Sequence, residues 1–132
     1  MPFTPSLNSH VSEVRVAVQY LSGANQINLS IYADSGGVPG TLLAGPVMVT
    51  NLPGSGTCCR LGVANFTPVT VSGGIRYWVV ANTPQTGIGS DFEGVWGQAA
   101  NIAIPFAADN GTGWFSTSAV QLPSGVVLGT IP

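Results

Sequence analysis

Hydrophobic and polar residues alternate at a period of two along most of this chain, which is the spacing of a pleated strand. Within residues 11–21, Val14, Val16, Val18 and Tyr20 fall on one side and Glu13, Arg15, Ala17 and Gln19 on the other. Four turn-type residues follow, Ser22-Gly23-Ala24-Asn25. Residues 26–33 alternate again, with Ile27, Leu29, Ile31 and Ala33 inward and Asn28, Ser30 and Tyr32 outward. Two such runs joined by a short turn predict the start of a β-meander. The strongest strand is predicted over residues 74–81. There Ile75, Tyr77, Val79 and Ala81 share one face, and Arg76, Trp78, Val80 and then Asn82 share the other. Both faces are largely apolar, which predicts a strand covered on both sides or one near the centre of its sheet.

Shorter segments complete the pattern. Residues 34–40 read as a loop, 41–44 as a short edge piece and 47–50 as a strand. Residues 57–66 read as a strand interrupted by Pro68 and resumed briefly at 69–71; residues 83–90 form a polar loop. Strands are also expected at 92–99, 102–104, 114–120 and 126–131, with a strong turn at Asp109-Asn110-Gly111-Thr112-Gly113. His10 is placed in an irregular N-terminal stretch. No window sustains a 3.6-residue apolar period with caps, so helix content should be very small. Eight to ten short strands, with turn signals about every 8–12 residues, are the pattern of a sandwich. The expected fold is all-β: one domain over residues 1–132, an antiparallel β-sandwich, jelly-roll-like.

Composition sharpens this picture at one point. Charged residues make up 6% of the 132 residues, against a usual figure of roughly 25%. There is no lysine; the basic side chains are Arg15, Arg60 and Arg76, and the net charge is −2. Binding to a nucleic-acid backbone or to an anionic membrane therefore lacks an electrostatic source. No run of about 20 apolar residues exists to span a bilayer as a helix. The opening residues Met1-Pro2-Phe3-Thr4 show neither a basic nor an apolar leader region. Scarce charge with abundant Gly, Thr and Asn points to an extracellular setting.

The order of these features resembles a secreted bacterial domain of the choice-of-anchor type, the R-like variety. The matching features begin with Phe3-Thr4, the strand from Val14 to Tyr20, Ile31-Tyr32-Ala33-Asp34, Val38-Pro39-Gly40 and Leu42-Leu43. They continue with Gly56-Thr57-Cys58-Cys59, Tyr77-Trp78, Trp96, Gly113-Trp114 and the closing Leu128-Gly129. The resemblance implies an exported β-sandwich associated with the cell surface, here as a folded core without its leader and sorting tail. It implies no particular activity.

Few residues carry candidate chemistry. Cys58 and Cys59 are adjacent, so a disulfide between them would be vicinal: their Cα atoms lie about 3.8 Å apart across a trans peptide, short of the roughly 4.4–6.8 Å usual for a bridge. An oxidising compartment favours that strained bond; the alternative is two free thiols on opposite faces of a strand. Asp34, in Asp34-Ser35-Gly36-Gly37, is a candidate calcium ligand, set against a plain side-chain-stabilised turn. No other cofactor is expected. Asp91 and Glu93 place two carboxylates on one face of a strand, the pairing a glycosidase needs, set against two solvated acids at a loop exit. No nucleophile elbow occurs, and the chain is not expected to be an enzyme. Trp96, Trp114 and Tyr32 are the candidate ligand-binding platforms, because their rings suit the apolar C–H face of a sugar while nearby Asn and Asp bond its hydroxyls. The expected function is a non-catalytic extracellular binding or display module directed at carbohydrate. The alternative is a self-associating structural or adhesive surface protein, since low charge and lysine-free strand edges invite pairing into homo-oligomers.

Overall fold

The computed structural model describes residues 1–57, 60–99, 105–109, 111–118 and 122–132. Thirteen strands and no helix occur among them. They are β1 (Pro2–Phe3), β2 (Ser9–Val16), β3 (Val18–Ser22), β4 (Gln26–Ser35), β5 (Val38–Thr50), β6 (Gly62–Val71) and β7 (Tyr77–Asn82). The remainder are β8 (Glu93–Trp96), β9 (Gln98–Ala99), β10 (Pro105–Asp109), β11 (Trp114–Ser118), β12 (Leu122–Pro123) and β13 (Gly125–Thr130). A four-stranded sheet has the order β1-β7-β4-β5 and a three-stranded sheet the order β13-β2-β6. The pairs β3-β8, β12-β9 and β10-β11 are the remaining sheets among the described residues. All of these strand pairs are antiparallel.

The two larger sheets share one core, as a sandwich requires. Ile27, Leu29, Ile31, Tyr77 and Val79 come from the four-stranded sheet; Val11, Val14, Val16, Ala64, Phe66 and Val71 come from the three-stranded one. Val14 and Val16 of β2 and Ile27, Leu29 and Ile31 of β4 point inward as the alternation predicts. Val11 also points inward, out of phase with Val14, because the register shifts between Val11 and Glu13. Strand β7 lies between β1 and β4, and its first four residues, Tyr77 to Val80, are all buried. Its two-sided apolar pattern is thus that of an interior strand. The strand is shorter than residues 74–81, however: Ile75 lies before it and is exposed, where the Gly74 amide donates to the Pro5 carbonyl at 2.8 Å.

Other boundaries also differ from the sequence reading. Residues 34–40 are not a loop. Strands β4 and β5 are joined by a two-residue turn, Gly36-Gly37, closed by the Ser35–Val38 pair. The two glycines have φ of +64° and +92°, the left-handed pair that a type I′ hairpin demands. Residues 41–44 and 47–50 are not separate pieces but parts of β5, which passes through a cis Gly45–Pro46 peptide. Pro68 does not end β6. The register between β2 and β6 shifts between Val11 and Glu13, opposite the stretch containing Pro68, and an edge strand at a bulge is where proline is tolerated. His10 sits in β2 rather than an irregular stretch, with its Nδ1 3.2 Å from the Thr70 hydroxyl. Strand β10 has no counterpart among the predicted strands, and the expected strand at 102–104 lies outside the described residues.

One corner departs from simple pairing. The break between β2 and β3 falls at Ala17, that between β8 and β9 at Gly97, and that between β12 and β13 at Ser124. The Ala17 amide donates to the Ser124 carbonyl (3.1 Å), the Ser124 amide to Gly97 (2.7 Å), and the Gly97 amide to Ala17 (2.7 Å). Three stretches of chain therefore change partners at one level, and a closed ring of backbone bonds leaves none of these amides without an acceptor. A side chain at position 97 would press on Ala17, whose carbonyl oxygen would lie 3.2 Å from the added Cβ.

Candidate functional site

The four-stranded sheet turns Tyr32 and Asp34 of β4 to the same face as Trp78 of β7. Tyr32 pairs directly with Trp78, and Ser30 with Val80. By the same period, Arg76 lies on this side just before the strand. Trp78 is 1% exposed, and a buried indole N–H needs an acceptor. It donates to Asp34 Oδ1 at 2.7 Å. The Gly37 amide donates to Asp34 Oδ2 at 3.2 Å, and Arg76 Nη1 lies 4.0 Å from Oδ1. The carboxylate thus joins the hairpin turn, the buried indole and a half-exposed guanidinium. A cation at Asp34 would compete with the indole and the Gly37 amide for the same two oxygens. No group of three or more His, Cys, Asp or Glu that could hold a metal occurs among the described residues.

The three candidate platforms lie in three separate sheets. Tyr32 is in β4, where it also pairs with Leu42 of β5. Trp96 ends β8 opposite Val18, is half-buried and packs against the core; its indole N–H donates to the Ser124 carbonyl at 2.8 Å. That bond fixes Trp96 to the corner where the three chain stretches meet. Trp114 opens β11 and pairs with Asp109 of β10. It is half-buried, with Phe115 exposed beside it. Asp109 Oδ1 accepts from the amides of Gly111 (2.8 Å) and Gly113 (3.2 Å), so the turn leading to Trp114 is held by a carboxylate cap. Strands β10 and β11 both touch β5.

Asp91 and Glu93 do not share a strand face. Asp91 lies in a turn before β8, and Glu93 is the first residue of the strand. Asp91 Oδ1 accepts from the Ala24 amide at 3.1 Å, and Glu93 Oε2 accepts from the Ser22 hydroxyl at 2.8 Å. Tyr20 and Phe92 stack nearby, with ring centroids 6.2 Å apart, and the Tyr20 hydroxyl donates to the Gly23 carbonyl at 2.7 Å. The two acids fasten the β3–β4 turn to the loop entering β8. Their sequence spacing carried no sign of this, since the partners Ser22 and Ala24 are far away along the chain.

Cys58 and Cys59 lie outside the described residues. The loop before them is anchored: Gln19 Nε2 donates to the Thr57 carbonyl (3.2 Å), and the Gly56 amide donates to Gln19 Oε1 (3.3 Å). The partners of Asp34 were partly visible in the alternation of residues 74–82, which puts Arg76 and Trp78 on one side. The role of Ser124 was not, because a carbonyl acceptor leaves no mark on residue type. Compared with protein-family models, curated proteins and solved structures, the chain shows no match.

Proposed function

We propose that this domain is a non-catalytic binding or display module of the cell exterior, directed at carbohydrate. The observation that supports it best is that Tyr32, Trp96 and Trp114 are all half-buried. Each ring is partly covered by the protein and partly open, unlike the sealed Trp78. A ring fixed in this way offers a stacking surface at little cost in side-chain freedom. Trp114 is the best placed of the three, beside the polar turn capped by Asp109. The export and surface association implied by the resemblance to choice-of-anchor domains belong to the same proposal, as does calcium at Asp34.

A glycan array followed by titration calorimetry tests the reading. A sugar ligand should be found, and Trp114→Ala should abolish its binding while leaving the melting temperature within a few degrees. Titrations with calcium and with a chelator decide whether the ion contributes. An array without a single ligand would remove the carbohydrate reading. A second reading, self-association, draws on a different observation. The outer face of the three-stranded sheet carries the ion pair Glu13–Arg15 flanked by exposed Val63, Val126 and Leu128. Little charge is present there to keep two copies apart.

A further inference from the structure

We infer that β13 and the cleft beside it form a two-fold interface between copies of this chain. The inference rests on the self-association reading and specifies where and how it occurs. Among the described residues, β13 pairs with β2 alone, and no other described strand pairs with the backbone N–H and C=O groups of its other side. Such an edge is a template for another strand. A cleft of about 560 Å³ runs along it, lined by every residue from Gly125 to Ile131 and, across the gap, by every residue from Met1 to Pro5. It therefore follows the seam between the free edges of the two sheets. Its side chains include Met1, Phe3, Val11, Val71, Val127 and Ile131, and none is ionisable. Ile131 is 69% exposed at its rim.

Among the described residues, the other edges of the two larger sheets are blunted, whereas β13 shows a single irregularity, a register shift against β2 between Leu128 and Gly129. Strand β1 is two residues long, begins with Pro2 and is followed by Pro5. Strand β6 carries Pro68 at an irregular register. Strand β5 carries Pro39 and Pro46, has three register shifts against β4, and has β10 and β11 against it. Strand β13, Gly125-Val126-Val127-Leu128-Gly129-Thr130, has no proline and no charge. An uncharged edge is complementary to itself. Antiparallel pairing of β13 with its copy uses the same patch on both chains, which is an isologous interface that closes at two. It would also bring the two apolar seams face to face, with Ile131 of each copy available to fill the cleft of the other. Because the two-fold contact uses the β13 edge of both copies, growth stops at the dimer rather than continuing into fibres.

Sedimentation velocity over a concentration series tests this on the 132-residue chain. The expected result is a monomer–dimer equilibrium. Leu128→Lys places an ammonium opposite Glu13 within the chain, which favours folding, but sets like charges against each other across the dimer. It should raise the dimer dissociation constant about tenfold or more. Asn65→Lys is the control: it also faces Glu13 but lies on the β6 edge, and it should leave the dimer intact. Independently of any variant, hydrogen exchange at residues 126–130 should slow with rising protein concentration while β6 does not change. A dimer indifferent to Leu128→Lys, with no such protection, overturns the β13 interface and leaves self-association standing. A monomer at every concentration overturns both. Open-ended filaments overturn the closed two-fold.

Discussion

Trp78, on the outer face of the four-stranded sheet, is 1% exposed, whereas Val126, on the outer face of the three-stranded sheet, is 45% exposed. Both sheets pack an apolar face into the same core. They differ in what lies behind it. In the first, Ser30, Trp78 and Val80 are also buried, so the sheet has covered surfaces on both sides and must supply acceptors for its own polar atoms. Asp34 does this for the Trp78 indole. In the second, Glu13, Arg15, Val63, Val126 and Leu128 meet solvent, and the Glu13–Arg15 pair serves solubility more than stability. A given substitution should therefore cost several times more in one layer than in the other.

The largest expected effect is in the shared core. Leu29→Ala removes a fully buried side chain and should lower unfolding free energy by about 2–5 kcal/mol, read by urea denaturation. A loss no larger than that of Val63→Ala would break the comparison. In a chain beginning at Met1, the next largest effect is on pH dependence. The Met1 amine donates to the Val79 carbonyl at 2.7 Å, and burial lowers its pKa from 8.0 to about 5. The unfolded amine holds its proton up to a higher pH than the folded one. Stability is therefore fully present above pH 8, falls as pH drops from about 8 to about 5 and levels off below that. The total is on the order of a few kcal/mol. Acetylating the amine should flatten this part of the pH–stability curve.

Asp34→Ala comes third. It leaves the Trp78 indole N–H buried without its acceptor, at a cost of about 1–3 kcal/mol, while Asp34→Asn, which keeps an acceptor oxygen, should cost less. Equal losses from the two would mean that charge rather than the hydrogen bond matters at this position. The smallest effect belongs to Glu13→Ala on the open sheet, about 0.5 kcal/mol or less. A loss above 1 kcal/mol there would show that the open face is more constrained than its exposure suggests.

Which layer is covered was partly legible in residue order. Two-sided apolarity marked residues 77–80 as interior, and alternation marked β2 as one-sided; the same alternation in β4 gave no sign that its outward Ser30 is buried as well. What escaped the sequence was decided by backbone events that residue type does not report. Gly36-Gly37 with Val38-Pro39-Gly40 has the composition of a loop, yet two positive-φ glycines are enough to reverse the chain, and β5 starts immediately. Pro68 looked like a terminator because its tolerance depends on the bulge opposite it. The alternation from Val14 to Tyr20 runs straight through Ala17, so nothing in it announced a change of partner there. The site was legible in the same uneven way. Asp34 and Tyr32 were identified as residues, but the indole bond that commits Asp34 depends on the β4–β7 register.

The ring of backbone bonds among Ala17, Gly97 and Ser124 has a consequence for biosynthesis. Its members lie far apart along the chain, and loop-closing contacts of that span form slowly. During translation, Ala17 must wait until residue 124 has left the ribosome before its amide can find this acceptor. Until then, the halves of three interrupted strands have no fixed point at which to exchange neighbours, and the nascent domain exposes unpaired β-structure to its surroundings.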